Sequence, residues 1–415
     1  MTGPDELAGE LAERFGTPLY VYDLDRVAEA RSRLFAALPS GFDLFYAVKA
    51  NPHPDVAGAL RDGSGPACRA EISSTGELDA ALAAGYAAGE CLYTGPGKTD
   101  TELAVAIARG VRLFSAESPT DLRRIGAVAE RYGAVAECLL RINCTTAGAA
   151  TGIRMMGRPS QFGLDLESLP ALLPELRATR GARLVGAHFF TMSNAGDESN
   201  LVAEFEQVVE LAAGLAVDSG LPLELLDLGG GFAAPYAVPG APVVYPKLRT
   251  ELERLLDLNL PRWRTGTPRL ACESGRYLVA GCGTLLCGVV NVKRGRGQTY
   301  VIVDAGINAI GGLSGLGRLL PMAVCLDGAD ATERASLVGP LCTPGDLLGR
   351  DVQVPILAAG DVVRIPNVGA YGITASLLGF LSRPAPAEVT VRNGEVVSVS
   401  RLEPRRVPLS KGAPS

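Results

Sequence analysis

From about residue 40 to residue 275, short apolar runs alternate with stretches of helical periodicity. Eight runs read as strands: Phe42–Val48, Arg69–Ser73, Cys91–Gly95, Val111–Ser115, Glu137–Ile142, Leu184–Phe190, Leu223–Leu228 and Arg269–Glu273. Between them lie Ala-, Leu- and Glu-rich segments such as Gly76–Ala84, Thr101–Ala108, Ser118–Arg131 and Glu204–Ala216, with apolar residues at helical spacing. Strict alternation of strand and helix predicts parallel β/α units. Eight such units predict a closed (β/α)8 TIM-type barrel rather than an open sheet.

After about residue 283 the pattern changes. Gly283–Val292, Thr299–Asp304, Asp361–Ile365 and Glu388–Val391 read as strands without long helices between them, punctuated by Pro340, Pro344, Gly345 and Pro366. This predicts a β-domain of sandwich or barrel type, which the early run Thr17–Asp23 can join as a further strand. The expected division is a barrel over 25–282, a β-domain from 1–24 and 283–405, and a loose tail over 406–415.

Composition narrows the class. The chain has 415 residues, is 47% apolar and 20% charged, and carries a net charge of −6 without a basic block. Nucleic acid and anionic membranes are therefore not expected as partners. The acidic start, Met1–Glu6, lacks the apolar stretch of a secretory signal, and no run is long enough to span a bilayer. Nine scattered cysteines form no Cys-x-x-Cys pair and only two histidines accompany them, so neither a disulfide framework nor a metal site is expected. The expected compartment is the cytoplasm.

In such a barrel, chemistry gathers at the C-terminal ends of the strands. There the sequence places Lys49, Glu71, Arg141, His188, Phe190, Ser193, Asp227 followed by Gly229-Gly230-Gly231, and Glu273-Ser274-Gly275-Arg276. Lys49 closes an apolar strand before Asn51-Pro52, and a desolvated lysine has a lowered pKa that suits Schiff-base formation. His188 and Phe190 are spaced to face one side of the sixth strand. The run Gly229–Ala234 satisfies the dinucleotide pattern G-x-G-x-x-A, but Pro235 and Pro239 oppose the helix that pattern requires. A phosphate-binding loop, completed by the forked donors of Arg276, fits better.

An aldehyde-accepting lysine with a phosphate cradle points to pyridoxal 5'-phosphate. Glu273 then has a task, holding the pyridine nitrogen protonated so that the ring draws electrons from Cα; the alternative is a salt bridge to Arg276 three residues on. In the β-domain, Gly339–Asp346 sets Cys342 in a proline-bounded loop beside an acid, and Gly369–Gly372 sets the phenol of Tyr371 between glycines. Lone cysteines are commonly inert, and position alone does not promote Cys342.

Together these motifs resemble the fold-type III pyridoxal-phosphate-dependent amino-acid decarboxylases, the family of diaminopimelate, ornithine and arginine decarboxylases. The likeness runs from Thr17 to Val391 and rests on Tyr46–Asn51, Gly229–Phe232, Glu273–Tyr277, Gly339–Cys342 and Gly369–Tyr371. It implies an alanine-racemase-like barrel in which Lys49 holds the cofactor and Glu273 meets the pyridine nitrogen. By the same resemblance Ser193, Gly230, Gly231, Arg276 and Tyr371 bind the phosphate, Arg141 supports the cofactor, and Cys342 from a partner subunit protonates Cα. Asp346 and Thr343 would then lie near the substrate, in a homodimer with shared active sites.

Departures from the family pattern matter too. Phe190 stands where histidine is usual, Met192 where glycine is common, Glu71 where many members have aspartate, and Thr343 where an acidic residue is frequent. Ser160–Gly163, Gly229–Phe232 with Pro235-Tyr236, and Cys342–Pro344 look most like a biosynthetic branch typified by the butirosin-pathway enzyme, which acts on glutamate tethered to an acyl carrier protein. The resemblance thus implies α-decarboxylation of an amino acid or a carrier-linked conjugate. Decarboxylation of free diaminopimelate, ornithine or lysine, racemase or aldolase chemistry on the same barrel, and a non-catalytic cofactor-binding protein remain the alternatives. The loops Thr145–Arg158 and Leu313–Met322, where the substrate side chain would be read, carry no clear charge signature.

Overall fold

The computed structural model describes residues 4–63, 65–143, 153–154, 160–190, 192–195, 197–311 and 333–408. The chain divides into two compact units. One comprises Leu24–Pro235 and Ala241–Gly281; the other comprises the chain up to Asp23, the segment Tyr236–Gly240, and everything from Cys282 onward.

The first unit is a closed barrel. Its eight strands are Asp43–Ala47, Arg69–Ile72, Cys91–Tyr93, Leu113–Ala116, Ala136–Asn143, Ala182–His188, Leu225–Asp227 and Arg269–Ser274. Each pairs in parallel with its neighbours, and pairing of the fourth with the fifth and of the eighth with the first closes the ring. Phe45, Leu92, Leu113, Leu139, Val185, Leu225 and Ala271, drawn from seven of the strands, form a buried cluster. Removing such side chains from water is the main driving force for closure. Helices separate the strands. Thr99 caps Asp100–Arg109, accepting the Glu102 N–H while the Glu102 carboxylate returns to the Thr99 N–H.

The barrel strands end one or two residues away from the sequence reading, and two of these shifts bear on the site. The first strand stops at Ala47, and Lys49 lies in a short 3-10 turn, Val48–Ala50, rather than in the strand. Asn51, held extended before Pro52, separates this turn from the helix Pro54–Arg61, and the Tyr46 hydroxyl fixes it by donating to the Asn51 carbonyl at 2.7 Å. His53 is the N-cap of that helix, its Nδ1 accepting the Asp55 N–H at 3.2 Å. The sixth strand likewise ends at His188, with Phe190 just beyond it.

The second unit holds an eight-stranded mixed sheet. In order across it run Leu347–Val354, Glu333–Val338, Gln298–Val303, Gly283–Gly295, Leu19–Asp23, Ala387–Arg392 and Glu395–Arg401, and Val362–Ile365 also pairs with Gly283–Gly295. Leu19–Asp23 runs antiparallel to Gly283–Gly295 and parallel to Ala387–Arg392. The helix Pro4–Phe15 contributes Leu11 and Ala12 to a core with Leu19, Leu286, Val389 and Val391. Three strands, Glu333–Val338, Leu347–Val354 and Glu395–Arg401, carry too many charges or too little buried surface to stand out in the sequence. The expected tail lies outside the described residues beyond Pro408.

Candidate active site

Lys49 emerges from the turn after the first barrel strand, with its Nζ 3.1 Å from Glu71 Oε2. Glu71 lies opposite Ala47 in the second strand and is fully buried, whereas the Lys49 side chain is 44% exposed. The expectation of a desolvated lysine is therefore corrected. The short turn lifts the amine out of the strand, and a buried carboxylate positions it. Glu71 Oε1 in turn accepts the hydroxyls of Thr94 and, at 3.3 Å, of Ser73. Beside it, burial and then the Glu71 charge push Glu77 up to about 7, although its carboxylate accepts the Ser73 N–H at 2.6 Å.

Deeper in the barrel, His188, Asp227 and Glu273 present ligand atoms within 4.8 Å of one another. Asp227 sits opposite His188 in the paired sixth and seventh strands. His188 Nδ1 is 2.7 Å from the Ser115 hydroxyl, and its Nε2 is 3.4 Å from Glu273 Oε1 without hydrogen-bond geometry. Burial, followed by the Arg141 charge, drives His188 well below its usual pKa, so the imidazole is neutral. Burial pushes Asp227 up to about 7, and burial together with the Asp227 and Glu71 charges lifts Glu273 well above the carboxylate range. Among the described residues, Glu273 Oε1 and Asp227 Oδ2 have no hydrogen-bond partner. A buried oxygen without a donor is costly, and a protonated ring nitrogen would meet the need of Glu273.

The glycine loop follows the seventh strand. Gly229 and Gly231 have φ values of +74° and +115°, and a Cβ at Gly230 would come within 2.5 Å of the Glu273 carbonyl oxygen. Only glycine permits this approach. The next helix begins at Leu248, so the dinucleotide geometry is absent here, as Pro235 and Pro239 led us to expect. The Gly231 carbonyl accepts the Ala195 N–H at 2.8 Å, bringing the segment that follows the sixth strand onto the loop. Ser193 pairs through its backbone with Ile153, while its side chain and the residues 144–152 and 155–159 are outside the described set. Arg276 is buried at the start of the short helix Arg276–Val279. Gly275 before it packs so closely on Ala50 that an added Cβ would stand 2.9 Å from the Ala50 Cβ.

Arg141, at the end of the fifth strand, is buried against Glu117 at 3.0 Å. Its guanidinium carbon is 4.6 Å from the centre of the Phe162 ring and 5.9 Å from that of Phe190. Sequence reasoning missed Glu117, Ser115, Thr94 and Ser73. Each is one polar residue at or just past a strand end, and nothing in its own neighbourhood announces the cross-strand partner.

In the second unit, Cys342 is exposed on its loop. Asp346 is buried, with Oδ1 accepting the Ile307 N–H at 2.8 Å and Oδ2 the Leu341 N–H at 2.7 Å. Its carboxylate holds the loop through these two contacts. Thr343 is half-buried beside it. Tyr371 adopts a left-handed backbone, φ +51°, and its carbonyl accepts the Tyr236 hydroxyl at 3.1 Å. Six other described cysteines are buried; Cys144 and Cys325 lie outside the described residues. No described helix is long and apolar enough to cross a membrane.

A lysine at the mouth of a parallel barrel, a buried acid with an unpartnered oxygen and a bare glycine loop fit a pyridoxal-phosphate-dependent enzyme. The family "pyridoxal-dependent decarboxylase, pyridoxal binding domain" matches residues 24–280, and the chain belongs to that family. It is 32% identical to an L-glutamyl-[BtrI acyl-carrier protein] decarboxylase of Niallia circulans over 94% of this chain and 92% of that relative. A diaminopimelate decarboxylase of Methanothermobacter thermautotrophicus is also 32% identical, over 95% of this chain and 91% of its own. Among solved structures, diaminopimelate decarboxylase from Helicobacter pylori complexed with L-lysine aligns with TM-score 0.80 and 25% identity, covering 95% of each chain. The chain is thus a pyridoxal-phosphate-dependent carboxy-lyase acting on an amino-acid-type substrate.

Proposed function

We propose that this enzyme removes the α-carboxylate of an amino acid held as a conjugate, such as a glutamyl group tethered to an acyl carrier protein, rather than of a free diamino acid. The observation that carries this reading is the Cys342 loop. Thr343 is neutral, and both oxygens of Asp346 accept backbone N–H groups. Beside Cys342 the loop therefore presents a neutral hydroxyl rather than an acid to a distal ammonium, which diaminopimelate, ornithine and lysine all carry. The similarity to the carrier-protein-linked glutamate decarboxylase points the same way.

Lys49 would bind the cofactor, Glu71 would orient the amine, and Gly229, Gly230, Gly231, Ser193, Gly275, Arg276 and Tyr371 would form the phosphate end. Glu273 would hold a proton at the ring nitrogen, with neutral His188 beside it, while Phe190 and Arg141 flank the cofactor. The bound cofactor supplies the sink for the electron pair released when the Cα–carboxylate bond breaks and carbon dioxide leaves. The Cys342 thiol would return a proton to Cα. Its exposure suits donation across a homodimer interface, and we place the assembly in the cytoplasm.

The test is a comparison of substrates. Carrier protein loaded with a glutamyl thioester should lose carbon dioxide, read by intact-protein mass spectrometry, far faster than free glutamate, diaminopimelate, ornithine or lysine reacts. Faster turnover of free diaminopimelate would reverse the assignment.

A further inference from the structure

Glu117 is positioned by the end of the fourth barrel strand and joins two segments of the barrel mouth. Its Oε1 accepts from Arg141 Nη1 at 3.0 Å, and its Oε2 accepts the Gly163 N–H at 2.7 Å. Both side chains of the pair are more than nine-tenths buried. The Glu117 N–H donates to Asp121 Oδ2 at 3.0 Å, and the same oxygen meets Lys98 Nζ at 2.7 Å in a second buried pair. The carboxylate therefore stands on a fixed support.

The Gly163 contact has a consequence for Phe162. Gly163 has φ +75°, and a Cβ there would lie 3.0 Å from the Asn143 nitrogen and 3.1 Å from the Arg141 carbonyl oxygen. The turn is thus drawn tightly onto the fifth strand, which lays the Phe162 ring 4.6 Å from the Arg141 guanidinium carbon. Arg141 is held by a carboxylate, faced by Phe162 and approached by Phe190. Among the described residues its Nε has no hydrogen-bond partner, so ion pairing and ring contact fix its place. A buried ion pair that loses one member leaves an uncompensated charge, which must shift or draw in water.

We propose that Glu117 is a positioning residue that acts through Arg141. By clamping the guanidinium against Phe162, it sets where Phe190 stands against the cofactor. This rests on the reading of Phe190 as a cofactor-facing ring. Glu117 touches neither cofactor nor substrate, and its effect is transmitted by the Arg141–Phe190 contact.

The test compares Glu117→Gln, Glu117→Asp, Arg141→Met and the double variant Glu117→Gln/Arg141→Met. Readouts are the cofactor dissociation constant, the visible circular dichroism of bound cofactor, the split of kcat against KM, and melting of the cofactor-free protein. Glu117→Gln should weaken cofactor binding about tenfold or more, change the dichroic band and lower kcat with little change in KM. Glu117→Asp should recover part of each, and the double variant should be no worse than Arg141→Met alone. If Glu117→Gln lowers only the melting temperature, or if its effect adds fully to that of Arg141→Met, the positioning role is overturned. Either result leaves the Lys49 and Glu273 assignments standing, since those are read from cofactor attachment and from turnover of their own variants. Should Glu117→Gln not fold, Phe162→Leu carries the same test. It should alter the dichroic band while keeping the ion pair, and an unchanged band overturns the proposal.

Discussion

Lys49 Nζ lies 3.1 Å from Glu71 Oε2, the carboxylate buried at 1% and the lysine side chain exposed at 44%. The asymmetry separates two duties. The acid, fixed by the Thr94 and Ser73 hydroxyls, is part of the barrel wall, and the amine is free to change partners without disturbing it. Charge-assisted contacts of this kind orient a flexible lysine stem that burial alone does not hold.

Lys49 should be the residue that carries the cofactor. Borohydride reduction followed by peptide mapping is expected to label Lys49, and Lys49→Ala should lose the visible absorbance of lysine-bound cofactor. Lys98 is already committed to Asp121 at 2.7 Å within the barrel. A label there, or on Lys293, would refute the assignment.

Glu273→Gln should retain cofactor yet slow turnover by several orders of magnitude. Glutamine keeps an oxygen near the ring nitrogen but cannot serve as its anionic partner, so the electron sink weakens. Turnover close to that of the parent would move this duty to another group, such as Asp227, whose carboxylate lies within 4.8 Å.

Cys342 is expected to serve the neighbouring subunit. Lys49→Ala and Cys342→Ala homodimers should each be inactive, and mixing them should restore part of the activity through hybrid dimers with one intact site. No recovery after verified subunit exchange would show that the site is not shared.

Phe190 offers stacking without a titratable group. Phe190→Leu should weaken cofactor binding modestly, on the order of 1 kcal/mol. Phe190→His should leave decarboxylation largely intact and add a limb to the pH–rate profile. Loss of the native reaction, or a change of product, in Phe190→His would assign the ring to substrate or reaction choice instead.

Glu77 titrates at about 7 in the folded protein against an ordinary value of 4.5, raised first by burial and then by Glu71. The folded state thus binds more protons than the unfolded one in that interval. Its contribution to stability is present below about pH 4.5 and is lost as pH rises through 7. Thermal melting of the cofactor-free protein should show Glu77→Gln gaining on the parent across this window. A difference in melting temperature that does not vary with pH would contradict the sign.

The barrel was legible because its signal is periodic: eight apolar runs between helices cannot be rearranged without exposing one face. Glu273 and the glycine loop were legible because one lies at the end of the eighth strand and the other comes just after the seventh. Lys49 was misjudged in its surroundings, since three residues of 3-10 turn alter exposure without changing the local pattern. Ser115, Glu117 and Thr94 escaped because their importance comes from partners on other strands, and strand register is not written in any one segment. The contact that holds Asp346 escaped for a similar reason, as one of its two donors, Ile307, lies 39 residues away. In the second unit, charged and half-exposed strands such as Glu395–Arg401 lack the alternation that marks a buried face.

The central position of Leu19–Asp23, between Gly283–Gly295 and Ala387–Arg392, sets an order of events during synthesis. This strand leaves the ribosome before both neighbours and must wait for them until the barrel has been made. The parallel barrel lies between them in the sequence and can close first. Until Gly283–Gly295 emerges, Leu19–Asp23 has neither mate, and until Ala387–Arg392 follows, one edge of this strand of alternating tyrosines and aliphatics stays open to chance pairing with other nascent chains. Slower translation of the last strands would lengthen this exposure, so the yield of active enzyme should depend on how promptly Ala387–Arg392 arrives.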